Sequence, residues 1–383
     1  MSASSVQTRA AVLWRLGDAP PYAGGDALTV ESLTLAPPGA GELLVRVEAA
    51  GLCHSDLSVI NGSRPRPTPM VLGHEAAGVV EAVGAGVIDV APGDHVVMTF
   101  VPSCGHCTEC AAGRPAMCTV GAAANGAGRL VAGGTRFGRS GVEFAHHLGV
   151  SAFAERTVVS RGSVVVVPAS VPFDVAAMLG CAVLTGFGAA VNTAGVRPGE
   201  SVVVFGLGGV GLSAVMGAAL AGAHPVVAVD TVSSKLELAR SLGATAVVNA
   251  GPGVDVVEAV RSATEGGADH ALECVGSAAV LETAFAVTAR GGCTVGVGLP
   301  DPSHRSSLPA VTLTGEGRVL RGSYMGSAAP ARDIPRLVRL WEAGKLPIEQ
   351  LRTGVIGFDG LAGAFDELAA GRAVRQLLRP SAA

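Results

Sequence analysis

Val203-Val204-Phe205-Gly206-Leu207-Gly208-Gly209-Val210-Gly211 is the stretch whose reading decides the fold. A β-branched run ends on a glycine, and a GxGxxG spacing then opens onto an apolar segment. As strand, turn and helix, the stretch gives each glycine a task. Gly206 permits the tight turn, Gly208 lets backbone approach a pyrophosphate, and Gly211 lets helix and strand pack closely. Leu207, Gly209 and Val210 complete the loop, and the helix N-terminus offers amide donors and a favourable dipole to phosphates. The bare pattern means little in a chain of 54 glycines. Its context carries the weight, because Asp230 closes the next strand. A carboxylate there would accept from ribose hydroxyls and repel a 2′-phosphate, so the cofactor expected is NAD rather than NADP.

Beyond this loop the sequence alternates strands and helices. Val226–Val229, helix Ser233–Leu242, Ala246–Val248, helix Val254–Thr264, His270–Cys274, helix Ala278–Thr288 and Cys293–Val297 follow in turn. Such βα repeats predict an α/β, doubly wound parallel sheet. Upstream the texture differs, with short Val-rich strands between Gly/Pro turns, as in Glu42–Glu48, Gly78–Val83 and His95–Thr99. After about Tyr324 the alternation loosens, leaving helices at Ile334–Ala343 and Gly360–Ala370. The expected organisation is therefore a nucleotide-binding domain, residues 183–324, inserted into a mostly β catalytic domain made of residues 1–182 and 325–383.

Composition excludes several classes. The 383 residues are 49% hydrophobic and 15% charged, enough to bury a sizeable core, and Gly and Pro together stay below the ~25–30% typical of disorder. Net charge is −4 with no basic run, so no nucleic-acid partner is expected. Ser201–Val229 is uncharged and long enough to span a bilayer, yet a glycine cluster and His224-Pro225 break it. Gly180, Gly186 and Gly188 likewise interrupt the uncharged Val175–Val196. No membrane association is expected. The opening MSASSVQTRA has no apolar core, so the expected location is the cytoplasm.

Eight cysteines in such a chain favour metal over disulfides. Cys104, Cys107, Cys110 and Cys118 crowd into one lobe, about residues 100–120, with spacing that can wrap one Zn²⁺ as a closed structural site. An iron–sulfur cluster is the competing reading. Bacterial ferredoxin runs place three residues before the fourth cysteine and a proline after it, whereas here seven intervene and Thr119 follows. Cys274 and Cys293, on predicted strands, read as packed core residues.

Cys53-His54-Ser55-Asp56, Gly73-His74-Glu75 and Gly180-Cys181 are individually unpersuasive. Together, Ala49–Asp56 (AAGLCHSD), Gly73–Val80 (GHEAAGVV), the four-cysteine lobe, Gly180–Gly186 (GCAVLTG) and GLGGVG stand in the order and spacing of zinc alcohol dehydrogenases. Across nearly its whole length the chain resembles the liver-type, class I/class III branch of that medium-chain dehydrogenase/reductase family. The resemblance implies a GroES-like catalytic domain, two zinc ions per subunit, NAD and a homodimer. It makes Cys53, His74 and Cys181 the catalytic zinc ligands, a set known for these enzymes rather than read from spacing. Asp56 would hydrogen-bond His74, and Glu75 would sit behind the metal. His54 and Arg375 would meet the cofactor pyrophosphate, Lys235 the adenosine ribose, and Thr185 and Val297 the nicotinamide side. Ser55 would pass the alcohol proton outward. Phe100, Leu299 and Tyr324 fall at pocket-wall positions, although plain core packing explains them equally well.

The implied reaction interconverts a small alcohol, primary or secondary, with its aldehyde or ketone. Two alternatives remain open. A thiol-adduct formaldehyde dehydrogenase would share the fold, but Ala122 stands where glutathione-dependent members carry an arginine. A non-catalytic nucleotide-binding protein would have little use for a complete ligand set. One departure stands out. Ser58 replaces the histidine that carries the proton to solvent in class I enzymes, and serine does not titrate near neutrality. His146 and His147 are the candidates to compensate, with His147 expected in the pocket wall, against the plainer reading that the pair only packs.

Overall fold

The computed structural model describes residues 4–381. By internal contacts the chain divides into two compact units. One contains residues up to Cys181 together with Ala329–Leu340 and the segment from Ile348 onward; the other contains Ala182–Ala328 and Trp341–Pro347.

The second unit is built on six parallel strands in the order Ala246–Asn249, Val226–Asp230, Val202–Phe205, Ala268–Glu273, Thr288–Gly296 and Val319–Gly322. Numbered along the chain this order is 3-2-1-4-5-6, the doubly wound arrangement expected. Val202–Phe205 is buried at all four positions, as a strand covered on both faces must be. Val203, Phe205, Val227, Val229, Ala271 and Val287 are among the residues of its core. The strand order reverses between Val202–Phe205 and Ala268–Glu273, and the glycine loop leaves the carboxyl end of the first of these. Two strands differ from the sequence reading, Ala268–Glu273 beginning earlier than His270 and Thr288–Gly296 earlier than Cys293. Pairing of Ala268 with Thr288 carries both strands to these earlier starts.

The first unit is mostly β. Val6–Leu13, Leu28–Leu35, Phe137–Arg139, Val142–His146 and Met70–Val71 close a small barrel. Beside it lies a seven-stranded sheet centred on Glu42–Gly51, which pairs with Glu75–Val83, Arg156–Ser160 and the late strand Arg375–Leu378. The register sets Gly51 opposite Glu75, so the catalytic unit draws its sheet from both ends of the chain. Among the described residues no single helix is long and apolar enough to cross a membrane. The uncharged Ser201–Val229 stretch resolves into strand, helix and strand.

His146 ends the barrel strand Val142–His146 and is fully buried against the Phe137 ring, centroids 5.2 Å apart. Its Nε2 accepts the Arg136 backbone N–H at 3.2 Å. Burial, with the Arg136 guanidinium adding to it, pulls the imidazole down to about 3 from the ordinary 6.5. Between those values the unfolded chain binds a proton that the folded chain refuses. The stabilisation is therefore complete above pH 6.5 and is lost as pH falls toward 3. The full effect is of the order of a few kcal/mol. His146→Gln keeps an acceptor without titrating, so its urea midpoint should fall less than the parent's as pH is lowered from 6.5. Parallel pH profiles for the two proteins would remove His146 as the cause.

Candidate active site and metal centres

Cys53 sits at the N-cap of the short helix His54–Ile60, immediately after strand Glu42–Gly51 and Leu52. His74 precedes strand Glu75–Val83, and Cys181 lies between helices Phe173–Leu179 and Ala182–Gly188. These three distant positions converge. Their ligand atoms all lie within 4.8 Å of one another, and all three residues are buried. Cys181 Sγ is 3.5 Å from His74 Nε2. A tetrahedral zinc with Zn–S ~2.3 Å and Zn–N ~2.0–2.1 Å has an S···N edge of ~3.5–3.6 Å, so the gap fits that ion. Two glycines allow the convergence. Gly73 has φ +92°, and a Cβ there would meet the Phe153 backbone N at 2.5 Å; a Cβ at Gly180 would meet the Met98 carbonyl at 2.2 Å.

Asp56 organises the surroundings. Its Oδ2 accepts the Cys53 N–H at 3.1 Å, and its Oδ1 accepts the Gly73 N–H at 3.3 Å. The same Oδ1 is 3.0 Å from His74 Nδ1, which leaves Nε2 for a metal. Burial works against the Asp56 charge, but His74 and the other donors outweigh it and hold the carboxyl at about 2. The Cys53 thiol is drawn well below its usual range, first by a hydrogen bond from Cys181, with Arg375 and His74 adding to the pull. A thiolate is the form that ligates metal.

Glu75 is fully buried, and burial pushes its carboxyl up to about 7 against the opposing Arg375 charge. It has room because its cross-strand neighbour is Gly51, where a Cβ would meet Glu75 Cδ at 2.8 Å. Arg375 Nη1 is 3.5 Å from Glu75 Oε2 and donates to the Leu52 carbonyl at 2.6 Å. The residue assigned by resemblance to a pyrophosphate is thus hydrogen-bonded to the Leu52 carbonyl and near the Glu75 carboxylate. Phe100 packs edge-on to the His74 ring, centroids 5.7 Å apart. Ser55 is half-buried in the first turn of helix His54–Ile60, where His54 is exposed. The Ser58 hydroxyl donates to the His54 carbonyl at 2.8 Å. His147 lies beside the Asp56 carboxylate. It is 1% exposed, its Nδ1 lies 3.1 Å from Asp56 Oδ1, and burial pushes its imidazole down.

The four lobe cysteines also converge, with their sulfurs within 4.8 Å of one another. Cys107 and Cys118 Sγ are 3.9 Å apart, close to the ~3.8 Å edge of a tetrahedron with ~2.3 Å Zn–S bonds. Backbone amides of Cys104 and Gly121 point at Cys118 Sγ, and that of Cys107 at Cys104 Sγ, each at 3.3 Å. Amide donors of this kind stabilise thiolates, the form a closed metal site requires. The short helices Thr108–Ala111 and Thr119–Gly126 that aim these amides carry no periodic signal in the sequence. Only the cysteine spacing marks the lobe.

In the second unit the glycine loop has the expected shape. Gly206 takes φ +84°, and a Cβ at Gly211 would meet the Gly206 carbonyl at 1.8 Å. A Cβ at Gly208 would meet nothing within 4 Å, so that side of the loop is open to a phosphate. Helix Gly209–Leu220 begins there. Asp230 folds back on the loop, accepting the Leu207 N–H at 2.7 Å and the Val232 N–H at 2.9 Å. The Leu207 amide is therefore engaged by Asp230 within the loop. Lys235 and Val297 are buried in this unit, Thr185 Oγ1 is buried without a hydrogen-bond partner, Tyr324 is half-buried, and Leu299 is exposed.

Residues 39–169 match the alcohol dehydrogenase GroES-like domain, and residues 209–343 match the zinc-binding dehydrogenase family. The chain is 40% identical to the NDMA-dependent alcohol dehydrogenase of Amycolatopsis methanolica over 382 residues, covering 98% of this chain and all of that one. The crystal structure of an alcohol dehydrogenase zinc-binding domain protein from Burkholderia ambifaria superposes with a TM-score of 0.91 at 38% identity, over 98% of this chain and 99% of that one. Benzyl alcohol dehydrogenase from Acinetobacter calcoaceticus gives a TM-score of 0.90 at 34% identity, with the same coverage. With matches along both units and a metal-ligand set in place, the chain belongs to the zinc-dependent alcohol dehydrogenases of the medium-chain dehydrogenase/reductase family.

Proposed function

We propose that this alcohol dehydrogenase works with NAD and two zinc ions per subunit, one held by Cys53, His74 and Cys181 and one by the four lobe cysteines. The convergence of Cys53, His74 and Cys181 beside an ionised Asp56 carries the reading. When bound, zinc makes a substrate hydroxyl more acidic, and NAD accepts the hydride. The protein's own residues do the rest. Asp56 holds His74 so that Nε2 faces the metal position, and Arg375 balances the Glu75 charge behind it. Ser55 Oγ takes the alcohol proton and passes it outward to solvent, because the Ser58 hydroxyl that stands in place of a terminal histidine is spent on the His54 carbonyl. Asp230 receives the adenosine ribose.

Elemental analysis should give about two zinc ions per subunit. Cys107→Ser should lose solubility or stability, because a closed site contributes directly to folding. Cys181→Ser should stay folded and bind NAD, yet lose about one zinc and its alcohol oxidation. Iron in place of zinc, or full activity without metal, would sink the assignment.

Cofactor choice rests on Asp230. Reduced-nicotinamide formation with a panel of aliphatic, benzylic and terpenoid alcohols should show a strong preference for NAD over NADP, and Asp230→Gly should relax it. The likeness to an NDMA-dependent enzyme supports a second reading, in which turnover requires NDMA as acceptor. Added NAD sustaining multiple turnovers without NDMA supports the first reading; turnover only with NDMA supports the second.

A homodimer is the assembly we favour. The outermost strand of the parallel sheet, Val319–Gly322, pairs on one side only and is exposed at all four positions, Val319 and Leu320 included. An open apolar edge invites pairing with a second copy. Leu320→Lys should shift the mass in light scattering toward monomer, whereas an unchanged mass would place the contact elsewhere.

A further inference from the structure

His147 is a buried titratable group that the proposed chemistry leaves without a task. It follows strand Val142–His146 and is held by its own turn. Its N–H donates to Ser151 Oγ at 2.8 Å, Ser151 Oγ donates to the Val71 carbonyl at 2.7 Å, and the amides of Val150 and Ser151 return to the His147 carbonyl. Leu148 and Ser151 both take φ of +51°, a region that side-chain-bearing residues avoid. The chain thus accepts local backbone strain in the turn that fixes this imidazole.

The ring reaches the same carboxylate oxygen that orients the metal ligand. His147 Nδ1 is 3.1 Å from Asp56 Oδ1, His74 Nδ1 is 3.0 Å from it, and the two rings meet edge-to-face with centroids 5.4 Å apart. His147 Nδ1 is not squarely aligned with the oxygen, and it has no other partner. A packing residue needs no nitrogen there. A phenyl ring would fill similar space without placing a polar atom, at a desolvation cost, beside a buried carboxylate.

We propose that His147 is a positioning residue for the Cys53–His74–Cys181 metal centre, donating from Nδ1 to Asp56 and so fixing the carboxylate that orients His74. The arrangement extends the support of the metal from one histidine–carboxylate pair to a His74–Asp56–His147 triad drawn from three separate segments. Partners at this distance from a metal typically change its affinity by ~10–100-fold when removed. This rests on the proposed assignment of Cys53, His74 and Cys181 as zinc ligands.

The test is zinc affinity, measured on the full-length apoprotein by competition with a chromogenic chelator, with Cys181→Ser marking which of the two binding steps belongs to this centre. His147→Phe keeps the volume and should weaken that step about 10–100-fold, leaving the four-cysteine step unchanged. His147→Asn, whose amide nitrogen can occupy the Nδ1 position, should recover most of the loss. Wild-type affinity in His147→Phe, or no recovery in His147→Asn, overturns the proposal. Should His147→Phe not fold, His147→Leu against His147→Asn makes the same comparison. Absence of a Cys181-dependent step in the parent would instead overturn the metal-ligand assignment itself.

Discussion

The Asp56 carboxylate is the constraint on which the catalytic unit depends. One oxygen ties down the amide of Cys53, and the other gathers the Gly73 amide and the His74 ring. Those groups come from two segments that flank the Gly51–Glu75 strand pair. Hydrogen bonds to a buried charge are each worth ~1.5–3 kcal/mol, enough together to overcome the desolvation that opposes an ionised carboxylate. That its carboxyl is held at about 2 shows which effect wins. The same side chain sits in the first turn of helix His54–Ile60, where negative charge is favoured by the helix dipole. Helix start, ligand backbone and ligand tautomer are thus set by one group.

The two cysteine clusters show how burial divides their tasks. In the lobe, three of the four cysteines are partly exposed, and backbone amides point at the sulfurs of Cys104 and Cys118. Everything needed lies within a short run of chain, so the lobe can close on a metal without long-range help. The Cys53–His74–Cys181 cluster is buried, and its electrostatics come from the adjoining Asp56 and Glu75 together with Arg375 from a much later strand. A site assembled from distant charges can be tuned by residues that never touch the metal.

Much of this was legible in the sequence, for identifiable reasons. The Rossmann sheet announces itself through βα periodicity and the glycine loop, because fully buried strands demand continuous Val, Ala and Phe. The lobe is legible because four thiols at such spacing have few other uses. The catalytic ligands could be named only by resemblance, since nothing local to Cys53, His74 or Cys181 reveals that they meet. What escaped depends on register and turns. The room Gly51 makes for Glu75 is visible only once two strands are paired, and the Leu207 amide is seen to be engaged only once Asp230 folds back. That His147 meets Asp56 depends on a turn with φ positive at Leu148 and Ser151, which the sequence does not announce.

Arg375 belongs to the last strand of the chain, yet it meets Glu75 and the carbonyl preceding the ligand Cys53. On the ribosome, Cys53, His74 and Cys181 all emerge long before it does. Through the synthesis of the whole nucleotide-binding unit, the Glu75 carboxyl lacks its counterion and the central sheet lacks its late strand. A nascent chain in this condition holds every ligand but not the electrostatic frame around them. Metal captured at that stage would be held more loosely than once Arg375 is in place.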